Sequence, residues 1–225
     1  MAKKPAAGME LYGEGHGIDV VKANDFVNKL ARDEDETLVQ IRKYCREMSL
    51  PNINPEEGRV LQMLAQMVGA KRALEVGTCT GYSAIWIARG LPADGLLETI
   101  EMDESRARMS EENFRKAGVE KRVKVLRGKA LEVMATLPDK AFDFVFLDAE
   151  KTEYSDYLRE SLRLCHKGSV ICADNMYAMG KLFEDDVDDY TESIKEFHKR
   201  LFSNQRLKST ILPVSDGVSW SIVRS

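Results

Sequence analysis

The chain is predicted to fold as an α/β domain. Its seven-stranded, mostly parallel sheet should carry helices on both faces and end in an antiparallel hairpin. Three observations predict this. Apolar runs of strand length recur at 73–76, 96–100, 123–127, 142–147, 169–173, 209–213 and 218–223. Helical stretches separate the first six, near 82–89, 104–117, 129–136, 153–164 and 187–203. Such alternation implies parallel strands covered on both sides. Between the last two runs the turn residues Ser215-Asp216-Gly217 leave no room for a helix, so these runs should pair as a hairpin.

The 225 residues are 44% apolar, enough for one α/β domain with a real core. Residues 1–17 carry Gly8, Gly13, Gly15 and Gly17 and are expected to form a mobile arm. The remainder, 18–225, reads as a single domain, with helices over 18–70 and the sheet-bearing core over 71–225. The first two helices are expected over 18–32 and 37–48. Between them Asp33-Glu34-Asp35-Glu36 reads as a solvated acidic helix start. Pro55-Glu56-Glu57 opens a third helix, with Val60, Leu61, Leu64 and Met67-Val68 on one face. There is no internal repeat and no long linker.

Composition excludes several function classes. A net charge of −4 offers no general basic surface for nucleic acid. No run approaches a membrane span, and the start Met1-Ala2-Lys3-Lys4-Pro5 lacks the apolar stretch of a signal peptide. Cys45, Cys79, Cys165 and Cys172 lack the paired spacing that zinc uses and fit free thiols in a reducing, cytoplasmic compartment.

The most informative segment is Ala73-Leu74-Glu75-Val76-Gly77-Thr78-Cys79-Thr80-Gly81-Tyr82-Ser83. It reads as a buried strand, a tight glycine turn and a helix start. A second acid, Glu101, ends the next apolar run. Backbone amides at such a turn can approach a nucleoside ligand, and a carboxylate ending the next strand can hold two ribose hydroxyls. The three-glycine dinucleotide pattern and the P-loop lysine are both missing. Glu75 suits an ammonium group. A ribose, an ammonium and no pyrophosphate describe S-adenosylmethionine. The same residues would also make an ordinary strand–turn–helix corner.

A second cluster lies at two later strand ends. Phe142-Asp143-Phe144-Val145-Phe146-Leu147 runs into Asp148, and Ser169-Val170-Ile171-Cys172-Ala173 runs into Asp174-Asn175. If these strands are neighbours, two carboxylates and an amide oxygen converge. That is an incomplete octahedral shell of the kind Mg²⁺ prefers, with Mn²⁺ or Ca²⁺ as substitutes. No histidine joins it, which disfavours zinc. Lys151, three residues after Asp148, is the candidate base for a metal-bound hydroxyl. Asp143, just before its strand, reads as an ordinary polar end residue.

Together these residues resemble the metal-dependent class I O-methyltransferases, the catechol and caffeoyl-coenzyme A O-methyltransferase family, over roughly residues 50 to 225. Leu74-Glu75-Val76-Gly77 with Thr80-Gly81-Tyr82-Ser83 looks like the methyl-donor turn. Thr99-Ile100-Glu101 resembles the ribose-binding segment, and Gly128-Lys129-Ala130-Leu131 resembles the adenine contact, at Ala130. Asp148, Asp174 and Asn175 match the family's metal ligands, with Asp148 also at the donor, and Lys151 matches its proposed base. Val214-Ser215-Asp216-Gly217 resembles its final hairpin turn. The resemblance implies a Rossmann-like methyltransferase sheet, often dimeric. It implies donor contacts from Ile53, Glu75, Gly77, Ser83, Glu101 and Ala130, and an aromatic small-molecule acceptor with a vicinal diol.

The acceptor side departs from the pattern. Ala178 stands where plant enzymes carry tryptophan, with Tyr177 beside it, and Glu150 stands where the animal catechol enzyme has an aromatic gatekeeper. No acid lies near Thr210 to match that enzyme's acceptor-binding glutamate. Tyr177 and Glu150 are the candidate acceptor contacts. Met176, Tyr177 and Met179 fit either an apolar lid or packing against the domain. The acidic run Glu184-Asp185-Asp186-Val187-Asp188-Asp189 fits either a solvated helix start or a second cation site. Bacterial relatives that methylate a hydroxyuridine in transfer RNA offer a rival acceptor, for which Lys181, Lys195, Lys199, Arg200 and Arg206 are the available cations. Two further rivals are weaker. A non-catalytic binding module would have lost the ligands or base retained here, and a nicotinamide enzyme would carry a different turn.

Overall fold

The computed structural model describes residues 20–184 and 188–225. The expected arm at 1–17 and the middle of the acidic run, 185–187, lie outside the described residues. The chain divides into two compact units between Asp33 and Glu34. The first contains α1 (Val20–Ala31), whose last turn carries Lys29, a cation where the helix dipole favours one.

The second unit begins with α2 (Glu36–Glu47) and α3 (Pro55–Met67). The sheet unit then alternates β1 (Arg72–Val76), α4 (Tyr82–Gly90), β2 (Leu96–Glu101), α5 (Glu104–Lys116), β3 (Val123–Arg127), α6 (Ala130–Thr136), β4 (Phe142–Leu147), α7 (Tyr154–Leu164) and β5 (Cys165–Ala173). It finishes with α8 (Asp189–Ser203), β6 (Leu207–Leu212) and β7 (Val218–Val223). The strand order is β3-β2-β1-β4-β5-β7-β6. The first five strands are mutually parallel, and β7 runs antiparallel to both β5 and β6. The predicted seven-stranded sheet with its terminal hairpin is therefore present. Chain direction across the sheet reverses between β1 and β4, the switch point where such sheets open a crevice.

Both faces are covered, which is why the central strands read as continuous apolar runs. One layer sets Leu38, Ile41, Leu61, Ile85, Trp86 and Phe114 against Ala73, Leu97, Phe144 and Phe146. The other sets Met134, Tyr157, Leu158, Ile194 and Phe197 against Leu74, Ile100, Val145 and Leu147. Along β4 from Phe144 to Leu147 the layers alternate residue by residue, as the two-residue period of a strand requires, while Phe142, before the register shift, joins the second layer.

Two elements extend beyond their apolar runs. Strand β5 starts at Cys165, four residues before Ser169. The register shifts between Phe142 and Phe144, and Ser169 Oγ donates to the Phe142 carbonyl at 2.8 Å, so polar His166-Lys167-Gly168 are carried as an irregularity. Strand β6 starts at Leu207 because an edge strand alternates, burying Leu207 and exposing Lys208.

The acidic start at 33–36 is corrected: it is not simply solvated. Asp35 caps α2 by accepting from Leu38 N and pairs with Arg89. Glu34 accepts Arg42 through two bonds of 2.7 Å and the Tyr82 hydroxyl at 2.7 Å, which docks α2 on α4. Asp143 bears out its ordinary reading. It accepts Lys71 N and Arg72 N, each at 2.8 Å, at the end of the sheet where β1 begins. All four cysteines are free thiols. Among the described residues no helix is long and apolar enough to cross a membrane.

Candidate active site

The first half of the site forms where β1 ends. Gly77 has φ of 106°, and a Cβ there would lie 2.3 Å from the Asp148 carbonyl oxygen. The turn therefore needs glycine because the backbone after β4 packs directly on it, whether or not a ligand also approaches. Glu75 is wholly buried in β1. Thr99 Oγ1, from β2, donates to Glu75 Oε2, and the Thr78 hydroxyl bonds Thr99 Oγ1 at 2.6 Å. Ser83, at the start of α4, stands beside the same carboxyl, yet Glu75 Oε1 has no hydrogen-bond partner. Burial pushes the Glu75 carboxyl up to about 8 against the pull of Ser83 and Thr99, and the charges of Asp148 and Glu101 push the same way. The second carboxyl oxygen, Oε1, is therefore free to accept from a further donor.

Glu101 ends β2 beneath the turn. Its two oxygens accept Cys79 N at 2.8 Å and Asp103 N at 2.9 Å, which fixes the carboxylate plane while leaving lone pairs for further donors. The Gly128 amide bonds the Glu101 carbonyl at 3.0 Å, bringing the turn that carries Ala130 beside this acid. Ile53 is 5% exposed and packs in the α2–α4 layer.

The second half forms where β4 and β5 end side by side. Leu147 registers with Ala173, and Asp174 N donates to the Leu147 carbonyl at 3.1 Å. Asp148 and Asp174 thus follow adjacent strand ends. Tyr154 pins those ends from the first turn of α7, its buried hydroxyl donating to the Leu147 carbonyl at 2.9 Å and reaching the Asp174 carbonyl at 3.4 Å. Lys151 Nζ donates to Asp148 Oδ1 at 2.7 Å and sits 5.1 Å from the Tyr154 ring centroid. Asn175, at φ of 62°, gives its Nδ2 to Asp216 Oδ2 at 3.2 Å, which leaves its amide oxygen as the free end. Asp216, in the final hairpin turn, also accepts Met179 N.

The electrostatics of this edge are lopsided. Burial raises the Asp174 carboxyl to about 7, with the Asp148 charge adding to the rise. Burial also raises Asp148, and Lys151 opposes it. A third acid joins them from α3: Glu57, 1% exposed, is pushed well up by burial and then by the charges of Asp174 and Asp148. The donors on offer are two carboxylates and the Asn175 amide oxygen, a hard-oxygen set that fits Mg²⁺. Among the described residues no three His, Cys, Asp or Glu side chains form a group that could hold a metal ion.

On the outer side, Tyr177 is half-buried and lies over Gly217, where an added Cβ would meet its ring at 2.8 Å. The Phe183 ring tilts against it at 5.8 Å. Met176 is fully buried and Met179 is 72% exposed, so the pair does not act as one lid: Met176 belongs to the core. Glu150 is exposed and accepts Thr152 N and Oγ1, capping the 3-10 turn Lys151–Glu153. Of the acidic run, Asp188 caps α8 through Thr191 N and pairs with Lys181 at 2.6 Å.

Residues 28–224 match the O-methyltransferase family. The chain belongs to that family. A catechol O-methyltransferase of Niastella koreensis is 34% identical over 210 residues, covering 88% of this chain and 95% of the relative. TomG, an O-methyltransferase of Streptomyces achromogenes involved in tomaymycin synthesis and solved with SAM, superposes with a TM-score of 0.84 at 31% identity, covering 93% of this chain and 100% of TomG. The O-methyltransferase from Bacillus cereus, solved with SAH, gives 0.82 at 30% identity, covering 90% and 97%.

In this methyltransferase the structure brings Glu75, Gly77, Ser83 and Glu101 together around the ends of β1 and β2, and Asp148, Lys151, Asp174 and Asn175 around the ends of β4 and β5. Sequence reasoning named Glu57 only within a helix start, and Thr99 and Asp216 only within motifs, without giving any of them a role, and it did not reach Tyr154. Glu57 had a readable signal: an acid in the first turn of a helix followed by Gly58, whose absent side chain admits the Trp86 ring.

Proposed function

We propose that this O-methyltransferase moves the methyl group of S-adenosylmethionine to one hydroxyl of an aromatic vicinal diol of the catechol, caffeoyl or flavonoid type. A divalent cation, Mg²⁺ or in its place Mn²⁺ or Ca²⁺, assists. The observation that carries this reading is the adjacency of the β4 and β5 ends, Asp148 with Lys151 beside Asp174-Asn175, against the Gly77 turn.

S-adenosylmethionine supplies an already activated methyl on a sulfonium, and the cation, when bound, acidifies and fixes the acceptor hydroxyls. The chain's own residues do the rest. Glu75 receives the donor's ammonium at its unpartnered Oε1. Ser83 donates to the donor's carboxylate. Glu101, its plane set by two backbone amides, accepts the ribose hydroxyls. Ala130 lies under the adenine, and Ile53 closes the methionine side. Asp148, Asp174 and Asn175 hold the cation, and Tyr154 keeps their strand ends in register. Lys151, once its Nζ has lost a proton to solvent, takes the hydroxyl proton, and the acceptor oxygen bonds the methyl carbon as the carbon–sulfur bond breaks to leave the neutral thioether. Tyr177 and Glu150 border the acceptor. Orientation and charge supply most of the rate. The family resemblance further suggests a cytoplasmic homodimer, and light scattering tests the dimer.

The deciding experiment is a radiolabelled-methyl assay with Mg²⁺ against catechols, caffeate esters, flavonoids and bulk transfer RNA. Labelled diol is expected, lost in EDTA and lost in Asp148→Asn while SAH still binds. Label only in transfer RNA, or turnover undiminished by EDTA, overturns this reading. The cations an RNA would need are partly committed: Lys181 to Asp188, Arg200 to Glu196, and Arg206 to the Leu162 and Ser225 carbonyls.

A further inference from the structure

We infer that Asp216 is a positioning residue of the cation site: it accepts from the Asn175 amide nitrogen and so keeps that side chain's oxygen free for the ion. The inference rests on the cation-dependent reading above and extends it to an acid 41 residues after Asn175, in the turn between β6 and β7.

An asparagine is an ambiguous ligand for a hard cation. Its amide oxygen can bind one and its NH₂ cannot, yet the two ends are nearly alike in size, so packing alone does not choose between them. A carboxylate does choose. It only accepts, so the amide must turn its nitrogen toward it. Asn175 Nδ2 donates to Asp216 Oδ2 at 3.2 Å. The flipped amide would set Oδ1 against the same carboxylate, acceptor facing acceptor. Asp216 thus selects the orientation in which Oδ1 is left for a metal.

The hairpin turn is built to hold this contact. Ala173 N, at the end of β5, donates to Ser219 Oγ at 2.9 Å, and beyond it Met176 N and Tyr177 N donate to the Gly217 and Asp216 carbonyls at 3.0 and 2.8 Å. The hairpin therefore grips the main chain on both sides of Asn175. The Asp216 side chain adds a further hold, its two carboxyl oxygens accepting Met179 N at 2.9 and 2.8 Å. That support is needed, because Asn175, Ala178 and Met179 have φ of 62°, 50° and 54°, a left-handed conformation that non-glycine residues keep only where their surroundings hold them. With the carboxylate anchored on Met179 N, its Oδ2 stands at a fixed place for the Asn175 amide. Groups that orient a metal ligand in this way are worth about 10–100-fold in metal affinity.

The test is a Mn²⁺ titration of the full chain, read from the electron paramagnetic signal of free ion, with SAH affinity as the control. Asp216→Asn is isosteric but carries its own NH₂, so it no longer chooses between the two amide orientations. It is expected to weaken Mn²⁺ binding about 10-fold or more while SAH affinity stays within about twofold. The same substitution is then made in Asn175→Asp, whose two carboxylate oxygens leave nothing to orient. There Asp216→Asn is expected to cost no Mn²⁺ affinity. A loosened turn, or the mere removal of a nearby charge, would instead cost the same in both backgrounds. Equal losses overturn the inference, as does wild-type Mn²⁺ affinity in Asp216→Asn. If Asp216→Asn does not fold, Asp216→Ser, whose hydroxyl both donates and accepts, takes its place in the same cycle with the same two readings. Wild-type protein that binds no Mn²⁺ is a separate result: it removes the cation reading, and the inference falls with it.

Discussion

Lys151 has two duties that pH separates. It counters the burial that raises Asp148, and under the proposed mechanism it removes the acceptor's proton. At saturating Mg²⁺ the first duty is masked. Lys151→Ala should then lose roughly 10²–10⁴-fold in rate near neutrality, the usual worth of a positioned base. The deficit should shrink as pH rises, because the acceptor then arrives deprotonated. A deficit constant across pH assigns Lys151 to positioning alone. Around it, residue identity was readable wherever a motif spanned neighbouring positions, as in Asp148 with Lys151 or Asp174 with Asn175. The roles of the Thr99 and Tyr154 hydroxyls were not readable. Their roles are hydroxyl bonds to groups 24 and 7 residues away, and an ordinary strand threonine or helix tyrosine looks the same.

At the scale of elements, the site depends on two parallel strand ends staying level. The Leu147 carbonyl receives both Asp174 N and the Tyr154 hydroxyl. Removing the hydroxyl leaves that carbonyl with its backbone partner, so the cost is that of one hydrogen bond without an orphan. Tyr154→Phe should destabilise by about 1 kcal/mol, seen as a fall of roughly 2–4 °C in Tm by calorimetry. Mn²⁺ affinity should fall with it. Unchanged Tm and unchanged Mn²⁺ affinity together would remove Tyr154 as the clamp. Element type was legible in the sequence because strand and helix periods differ. Boundaries were less so: β5 gained His166-Lys167-Gly168 through an irregular pairing that hydrophobicity does not report. The acidic start of α2 was misread for a related reason, since Glu34 finds its partners, Arg42 and Tyr82, only through tertiary packing.

Across the whole molecule, the β1–β4 switch point places the proposed donor and cation halves close enough for the Asp148 charge to act on Glu75. The chain order alone predicted parallel strands, but only the sheet order puts Asp148 beside Gly77 and within the field of Glu75. Glu75 sits at about 8, above its ordinary 4.5. Its contribution to folding is therefore complete below about pH 4.5 and is lost as pH rises through 8, and at pH 7 most of the carboxyl is protonated. A ligand ammonium favours the ionised form, so SAH binding at pH 7 should release a proton. Calorimetry in buffers of different ionisation enthalpy measures that release, and Glu75→Gln subtracts what the ligand's own amine contributes. Asp148 is one of the charges that raise Glu75. A cation on Asp148 offsets that charge, lowers Glu75 and leaves fewer protons to release. Proton release should therefore be smaller with saturating Mn²⁺ than without it. Release that is equal with and without Mn²⁺ would mean the two halves share a crevice without sharing a field, and release equal in wild type and Glu75→Gln would remove Glu75 from the donor site.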